Sequence, residues 1–433
     1  VKKLVYIPVL LLALVACTAP GASGSPGDPG SPSTTAPAQP GATTTTTEAA
    51  LHPQNGATVW STPAAGLPIS PRSAEWAQRI YDYADTRDHT PSVEFGFDPP
   101  SSDYSVPIYS ADDATTTIRV FRRPFTSWPG RFDVALGGRI PWNPSWLPAD
   151  GNDGHLTILN FRTGEEWDLW GVATPTFHPA YLTQVECATN LDNLLAGFDM
   201  SADLCTGAAV RITEPSGAVA DVRTYRGNYP WSTEIGIQQS IGLATPAEVA
   251  SGRIPHALRF EVSSTMSMTG PMCPADVTGP DDPRVGTTCG IALAPGGQFD
   301  SRDTVSTPEQ LSKMVPRGTR FVIDMTDAQI DQWLDARGYT GTLRSTARVF
   351  AVALRDYGLI QVMTTGGSAI IPVSGARNPA TAAGWRSLGI SDDGGHLLDG
   401  LITASRIRVL EPPTNHCGGV ATKLACWSSD TSY

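Results

Sequence analysis

The chain has 433 residues, with 30 Lys and Arg against 42 Asp and Glu, a formal charge of −12 at neutral pH and 40% hydrophobic residues. An acidic chain of this kind argues against nucleic acid as a partner and against a broad electrostatic grip on anionic lipid. Past the N-terminus, no run is apolar over the roughly 20 residues that a membrane-spanning helix requires.

The N-terminus reads Val1-Lys2-Lys3, then an apolar run from Leu4 to Ala16, then Cys17. A basic start, a short apolar stretch and small residues before a cleavage point predict a signal peptide over residues 1–16. The last residues, Leu14-Val15-Ala16-Cys17, resemble the lipobox of bacterial lipoproteins. The resemblance implies that Cys17 takes a diacylglycerol on sulfur, becomes the new N-terminus and is further acylated. It places the chain at the extracellular face of the cytoplasmic membrane, its acyl chains holding it there at roughly 0.8 kcal/mol per buried methylene. Loss of Lys2 and Lys3 with the leader would take the charge from −12 to −14. Residues 17–50 carry almost no charge and are rich in Thr, Pro, Gly, Ser and Ala. Such a stretch cannot offset its ordering entropy by burial, which predicts a disordered tether about 30 Å long.

Residues 51–433 are enough for one large β-rich domain, or for two split near 235–245. Trp76, Ile80 and Tyr83 stand near helical spacing in 72–87. From 93 to about 235, short alternating runs are broken by Gly, Pro, Asn and Asp, the pattern of antiparallel sheet. Examples are Thr117–Phe121, Phe132–Leu136, Leu156–Leu159 and Glu166–Trp170, the last two joined by a turn at 160–164. Thr245-Pro246-Ala247-Glu248 and Thr326 with Gln329 are helix starts of the capping-box type. A buried strand is predicted at His256–Val262, another at Arg320–Asp324, and a long helix at Thr342–Tyr357 with Ala347, Phe350, Ala351 and Leu354 inward. Leu359–Met363 and Ala369–Val373 read as a hairpin, and Ile407–Leu410 as a last strand.

Seven cysteines occur. With Cys17 assigned to lipid, an even six remain, which in an exported chain predicts disulfides. Spacing favours Cys187–Cys205, Cys273–Cys289 and Cys417–Cys426 among the 15 pairings that six cysteines allow. Zinc is disfavoured, since no Cys-x-x-Cys or His pair accompanies them.

Many short strands with a few inserted helices predict a mainly β chain, a concanavalin-like jelly-roll sandwich. Tyr104-Ser105-Val106-Pro107-Ile108-Tyr109, Asp153-Gly154-His155-Leu156, the run from Gly252 to Leu258, and the run from Ala353 to Gly358 resemble phrases of secreted actinobacterial proteins. That resemblance implies a β-sandwich and carbohydrate as the ligand class, and it carries no catalytic assignment.

The densest polar cluster is Asp150-Gly151-Asn152-Asp153-Gly154-His155, followed by Glu165-Glu166-Trp167-Asp168-Leu169-Trp170. Strand alternation puts Glu166, Asp168 and Trp170 on one face, and pairing with the preceding strand would add Asp153 and His155. Carboxylates some 5–10 Å apart with an aromatic platform are the equipment of a glycosidase. Glu166-Trp167-Asp168 also resembles the Glu-x-Asp start of a jelly-roll glycosidase motif, whose third acid is replaced here by Gly171. The competing reading is a turn and an exposed sheet face, with calcium the one candidate ion at the Asp150–Asp153 turn. His256 is either a proton shuttle for those acids or a hydrogen-bonded core residue. Trp142 and Trp146 are either a second sugar platform or a plug in the core. No GxSxG elbow, HExxH or phosphate loop occurs.

Three functions remain open. One is a tethered hydrolase or lyase acting on extracellular glycan through Glu166, Asp153, Asp168, His155 and His256, with Trp170, Trp142 and Trp146 against the sugar. The others are a noncatalytic binder of polysaccharide or a cell-wall component, and a structural envelope protein. The expected form is a monomer without a cofactor.

Overall fold

The computed structural model describes residues 60–83, 92–97, 106–124, 134–149, 153–160, 165–178, 184–212, 239–263, 267–268, 282–284, 287–288, 309, 312, 314–316, 318–365, 369–375, 377–391 and 394–411. The leader, Cys17 and the tether lie outside them. So do Cys273, Cys289, Cys417 and Cys426, and residues 150–152 of the suggested calcium turn.

The larger of two regions is a six-stranded mixed sheet. Its strands are β1 (Ser92–Val93), β9 (Leu258–Ser263), β12 (Arg320–Ile323), β13 (Leu359–Thr365), β14 (Ala369–Ile370) and β15 (Ile407–Val409), in the order β1-β14-β9-β13-β12-β15. One face is covered by helices. α1 (Ser73–Tyr83) turns Trp76, Ala77 and Ile80 inward, and α6 (Gly341–Asp356) turns Ala347, Phe350, Ala351 and Leu354 inward, as helical spacing predicts. α5 (Asp327–Ala336) starts on a capping box, with Thr326 and Gln329 each accepting from the other's backbone N–H. α7 (Pro379–Ser387) buries Trp385, whose indole stands edge-on to Phe95 at 4.8 Å. These residues join Phe260, Phe321, Leu359 and Ile370 of the sheet in one core. Gly358 ends α6 at φ +83°, where a Cβ would collide with the Phe321 carbonyl.

The second region, 106–212, holds two smaller sheets. Four strands run in the order β2 (Ile108–Ser110), β5 (Leu156–Leu159), β6 (Glu166–Trp170), β8 (Ala208–Ile212). Three run in the order β4 (Arg139–Trp142), β3 (Thr116–Arg122), β7 (Leu204–Thr206). They share a core of Ile118, Val120, Ile140, Trp142, Trp146, Leu156, Ile158, Trp167, Leu169 and Leu204. The other face of the four-stranded sheet sends Ile108 and Leu159 against Ala369, Ile371 and Val373 of the larger region. The layers therefore run from three strands to four, to six, to helices. Two short helices, α2 (Val185–Ala188) and α3 (Leu191–Leu195), precede β7, and the disulfide Cys187–Cys205 ties α2 to it with a Cα separation of 5.7 Å.

Among the described residues about 28% are helical and 24% strand. The chain is thus mixed α and β where the sequence predicts a mainly β jelly roll. The difference arises because helices, not a second sheet, cover the outer face of the six-stranded sheet. A second difference concerns the hairpin predicted at 359–373. β13 and β14 do not pair with each other; β9 lies between them, parallel to β13 and antiparallel to β14. Leu258 and Phe260 of β9 join the core, while Arg259 and Glu261 on its other face pair with each other. No helix among the described residues is long and apolar enough to cross a membrane.

Candidate functional site

β5 and β6 pair antiparallel with Thr157 opposite Asp168 and Leu159 opposite Glu166. Alternation puts Trp167 and Leu169 into the sandwich core and leaves Glu166 and Asp168 on the opposite face with Thr157. That face is not open to solvent. Glu166 is 0% exposed, Asp168 2% and His155 5%. Residues 239–243 and the six-stranded sheet cover them.

Each carboxylate is bound from two sides. Ser240 donates its backbone N–H to Glu166 Oε1 at 3.1 Å and its hydroxyl to Oε2 at 2.7 Å. Thr157 Oγ1 donates to Asp168 Oδ1 at 3.0 Å, and the Gln239 N–H to Oδ2 at 3.1 Å. The Gln239 amide Nε2 lies 3.2 Å from His155 Nδ1. From β9, Arg259 Nη1 donates to the Gln239 carbonyl at 3.2 Å and to its Oε1 at 3.0 Å. The same guanidinium pairs with Glu261, Nη2 to Oε1 at 2.7 Å. A continuous polar network therefore crosses the contact between the two regions, built from β5, β6, residues 239–240 and β9.

Its electrostatics follow from burial. Burial, then the charge of Asp168 and a hydrogen bond to it, raise the Glu166 carboxyl well above the usual range, against the opposing Ser240 contacts. Two acids this close in a desolvated site hold one proton between them. Burial drives His155 down to about 4, against the pull of Asp153 and helped by the Arg259 charge. Asp153 marks the rim. Its side chain is 30% exposed and 4.0 Å from His155 Nε2, and its Oδ1 accepts from Trp170 Nε1 at 3.0 Å. The arrangement stores a proton and locks two layers together. It gives neither carboxylate the access to water and substrate that glycoside hydrolysis requires.

The structure engages His256 elsewhere. Nδ1 lies 2.8 Å from the Ala257 carbonyl, and Nε2 lies 3.2 Å from Glu248 Oε1. Glu248 is also the box residue of α4 (Pro246–Ala250), its Oε2 accepting from the Thr245 N–H at 3.0 Å. Burial pulls His256 down, but the Glu248 charge and hydrogen bond outweigh it and leave the imidazole above its ordinary value. Trp142 and Trp146, at 3% and 4% exposed, stack edge to face with ring centroids 5.7 Å apart, and Trp146 lies flat on Tyr109 at 5.0 Å. They are core residues rather than an open platform. At Asp153 the described part of the suggested calcium turn is taken up by Trp170. No group of three metal-ligating side chains occurs among the described residues.

An open depression of about 310 Å³ lies against the start of β3 and the end of β4, with Ala202 in its lining. Thr116, Thr117, Thr174, Thr176 and Ser201 line it, with the edge of Trp142 and two prolines, and no carboxylate enters the lining. Of this lining the sequence singles out Trp142 alone as a sugar contact; the threonines and Ser201 carry no signal, nor do Gln239 and Ser240. Arg259-Phe260-Glu261, two opposite charges at i and i+2 within an apolar strand, is the one signal that pointed to a buried pair. Compared with protein-family models, curated proteins and solved structures, the chain matches none.

Proposed function

We propose that the chain is a lipid-tethered surface protein that binds extracellular glycan or a cell-wall component without cleaving it. One observation carries this reading. The only paired acids of the candidate cluster are sealed at 0% and 2% exposure, while the open depression is neutral and rich in hydroxyls. Hydroxyl groups beside an indole edge and proline rings suit a neutral polyol, whose faces are apolar and whose rim is hydroxyl. The lipobox and tether would present that depression outside the membrane. The hydrolase or lyase reading retains one supporting feature, two neighbouring buried carboxyls of which Glu166 is favoured in its protonated form.

The test uses the full mature chain with insoluble cell-wall and plant polysaccharides, following depletion from solution and release of reducing ends. Binding should occur without product, fall at least tenfold in Ala202→Trp, which fills the depression, and survive in Glu166→Gln. New reducing ends that vanish in Glu166→Gln would restore the enzyme and discard the binder.

A further inference from the structure

Seven large hydrophobic residues are exposed among those described, and five of them, Val185, Leu191, Leu194, Leu195 and Met200, fall within 16 residues. Leu191, Leu194 and Leu195 stand at i, i+3 and i+4 on one face of α3, 66%, 52% and 78% exposed. The opposite face is polar and turned inward. Asn193 is fully buried, and its amide donates to the Arg122 carbonyl at 2.7 Å and to the Cys187 carbonyl at 3.0 Å. An ordinary surface helix buries its leucines and exposes its asparagine; α3 does the reverse.

The inversion is held in place. The three leucines and Met200 lie inside the loop closed by Cys187–Cys205. Within that loop the Gly197 carbonyl accepts from Arg119 at 2.8 Å, and the Asp199 N–H donates to Asp203, which Arg119 also grips at 2.7 Å. A leucine face fixed outward by a disulfide and by a buried asparagine is a built surface.

We propose that this face inserts into the lipid bilayer to which the chain is anchored, as a second membrane contact beside the acyl group. The inference rests on the lipobox reading of Cys17. The 43 residues from Cys17 to Trp60 would span on the order of 35 Å as a random coil and roughly 140 Å at full stretch, the latter well beyond the roughly 50 Å width of a folded unit whose radius of gyration is roughly 20 Å. Any face of the unit can therefore reach the membrane. The acyl chains on Cys17 already hold the chain at the bilayer, so the leucine face meets lipid at high local concentration and sets the orientation of the folded unit instead of supplying the anchor. A dimer of standard size needs about 20–30 residues a side, far more than the exposed face of a five-residue helix and its neighbours provides. The exposed neighbours Asp192 and Asp199 give anionic headgroups no attraction, so the contact is apolar insertion and not charge.

The test separates the patch from the anchor. Mature chain carrying Cys17→Ser, which cannot be acylated, is sedimented with phosphatidylcholine vesicles and with phosphatidylglycerol vesicles. It should bind phosphatidylcholine at least as well as phosphatidylglycerol, since the insertion is apolar and the exposed Asp192 and Asp199 are repelled by anionic headgroups. Leu191→Gln/Leu194→Gln/Leu195→Gln should lower the partition at least tenfold with an unchanged thermal midpoint, since all three side chains already face solvent. Equal partition of variant and parent, or no partition of the parent, overturns the proposal. So does concentration-dependent self-association that the triple variant abolishes, which would assign the face to a second copy. Mass analysis of the N-terminus of the unsubstituted chain tests acylation of Cys17 separately. Its failure would remove the anchor while leaving the vesicle result to stand or fall alone.

Discussion

His155 and His256 are both buried and both lie near a carboxylate, yet they shift in opposite directions. Glu248 is 7% exposed and reaches His256 at 3.2 Å, so little solvent screens the pair and the charged imidazole is favoured. Asp153 is at the rim, 4.0 Å from His155, and a second cation, Arg259, opposes protonation from the far side. Proximity to an acid does not decide the charge of a buried histidine. The burial of that acid and the sign of whatever else faces the ring decide it.

The largest effect should come from the hub of the His155 network. Arg259→Met leaves Glu261 without its guanidinium and removes two donors from Gln239. It should cost about 3–5 kcal/mol in urea unfolding, the usual result of stranding one member of a buried pair. Arg259→Met with Glu261→Leu should recover most of that loss. A double variant no better than the single would show that Arg259 acts through Gln239 alone.

In the His256 cluster, Glu248→Ala removes both the helix cap and the imidazole's partner, and should cost about 3 kcal/mol. Glu248→Gln keeps an acceptor for the Thr245 N–H and should cost about half as much. It should also bring His256 below its ordinary value, read by following the imidazole protons through a pH titration. An unmoved His256 would mean that the Ala257 carbonyl, not Glu248, holds the proton.

The raised groups set the alkaline limb of stability. His256 has a folded pKa above its unfolded one, so its contribution is complete below about 6.5 and is lost as pH rises through the folded value. Glu166 is also raised. Above about 4.5 the unfolded carboxyl ionises while the folded one keeps its proton, so stability falls with rising pH across that window. Unfolding free energy should therefore lose the Glu166 contribution as pH rises above about 4.5 and the His256 contribution as it rises above about 6.5, and Glu166→Gln should remove the first without touching the second. A slope unchanged in Glu166→Gln would mean the shared proton is not on this pair.

Much of the local structure was legible. The strands at 156–159 and 166–170, the helix at 341–356, the capping boxes at Thr245 and Thr326 and the pairing of Cys187 with Cys205 all follow from short-range rules. Alternation also placed Glu166 and Asp168 on one face. It could not say what covers that face, because Gln239 and Ser240 arrive from more than 70 residues away and belong to no pattern. Without that cover, a buried acid pair reads as an open catalytic one. The inverted helix at 191–195 escaped for a related reason. Leucines at i, i+3 and i+4 normally mark an inward face, and only the buried Asn193 reveals the reversal.

The smallest effect is the most diagnostic of the contrast between the histidines. His155→Gln exchanges one neutral buried hydrogen bond, to Gln239, for another of poorer geometry and should cost about 1 kcal/mol at neutral pH. Its pH dependence is sharper. With the folded value near 4 and the unfolded one near 6.5, the unfolded chain takes up the proton first. Stability therefore falls as pH drops through that window. Glu166 opposes this in the same range, gaining stability as pH drops toward 4.5, so the two slopes partly cancel in the unaltered chain. Glu166→Gln should expose the His155 slope, and adding His155→Gln should flatten it. If Asp153 acted on His155 as Glu248 acts on His256, Asp153→Asn would steepen the slope further. The exposed rim position predicts instead a change too small to separate from the parent curve.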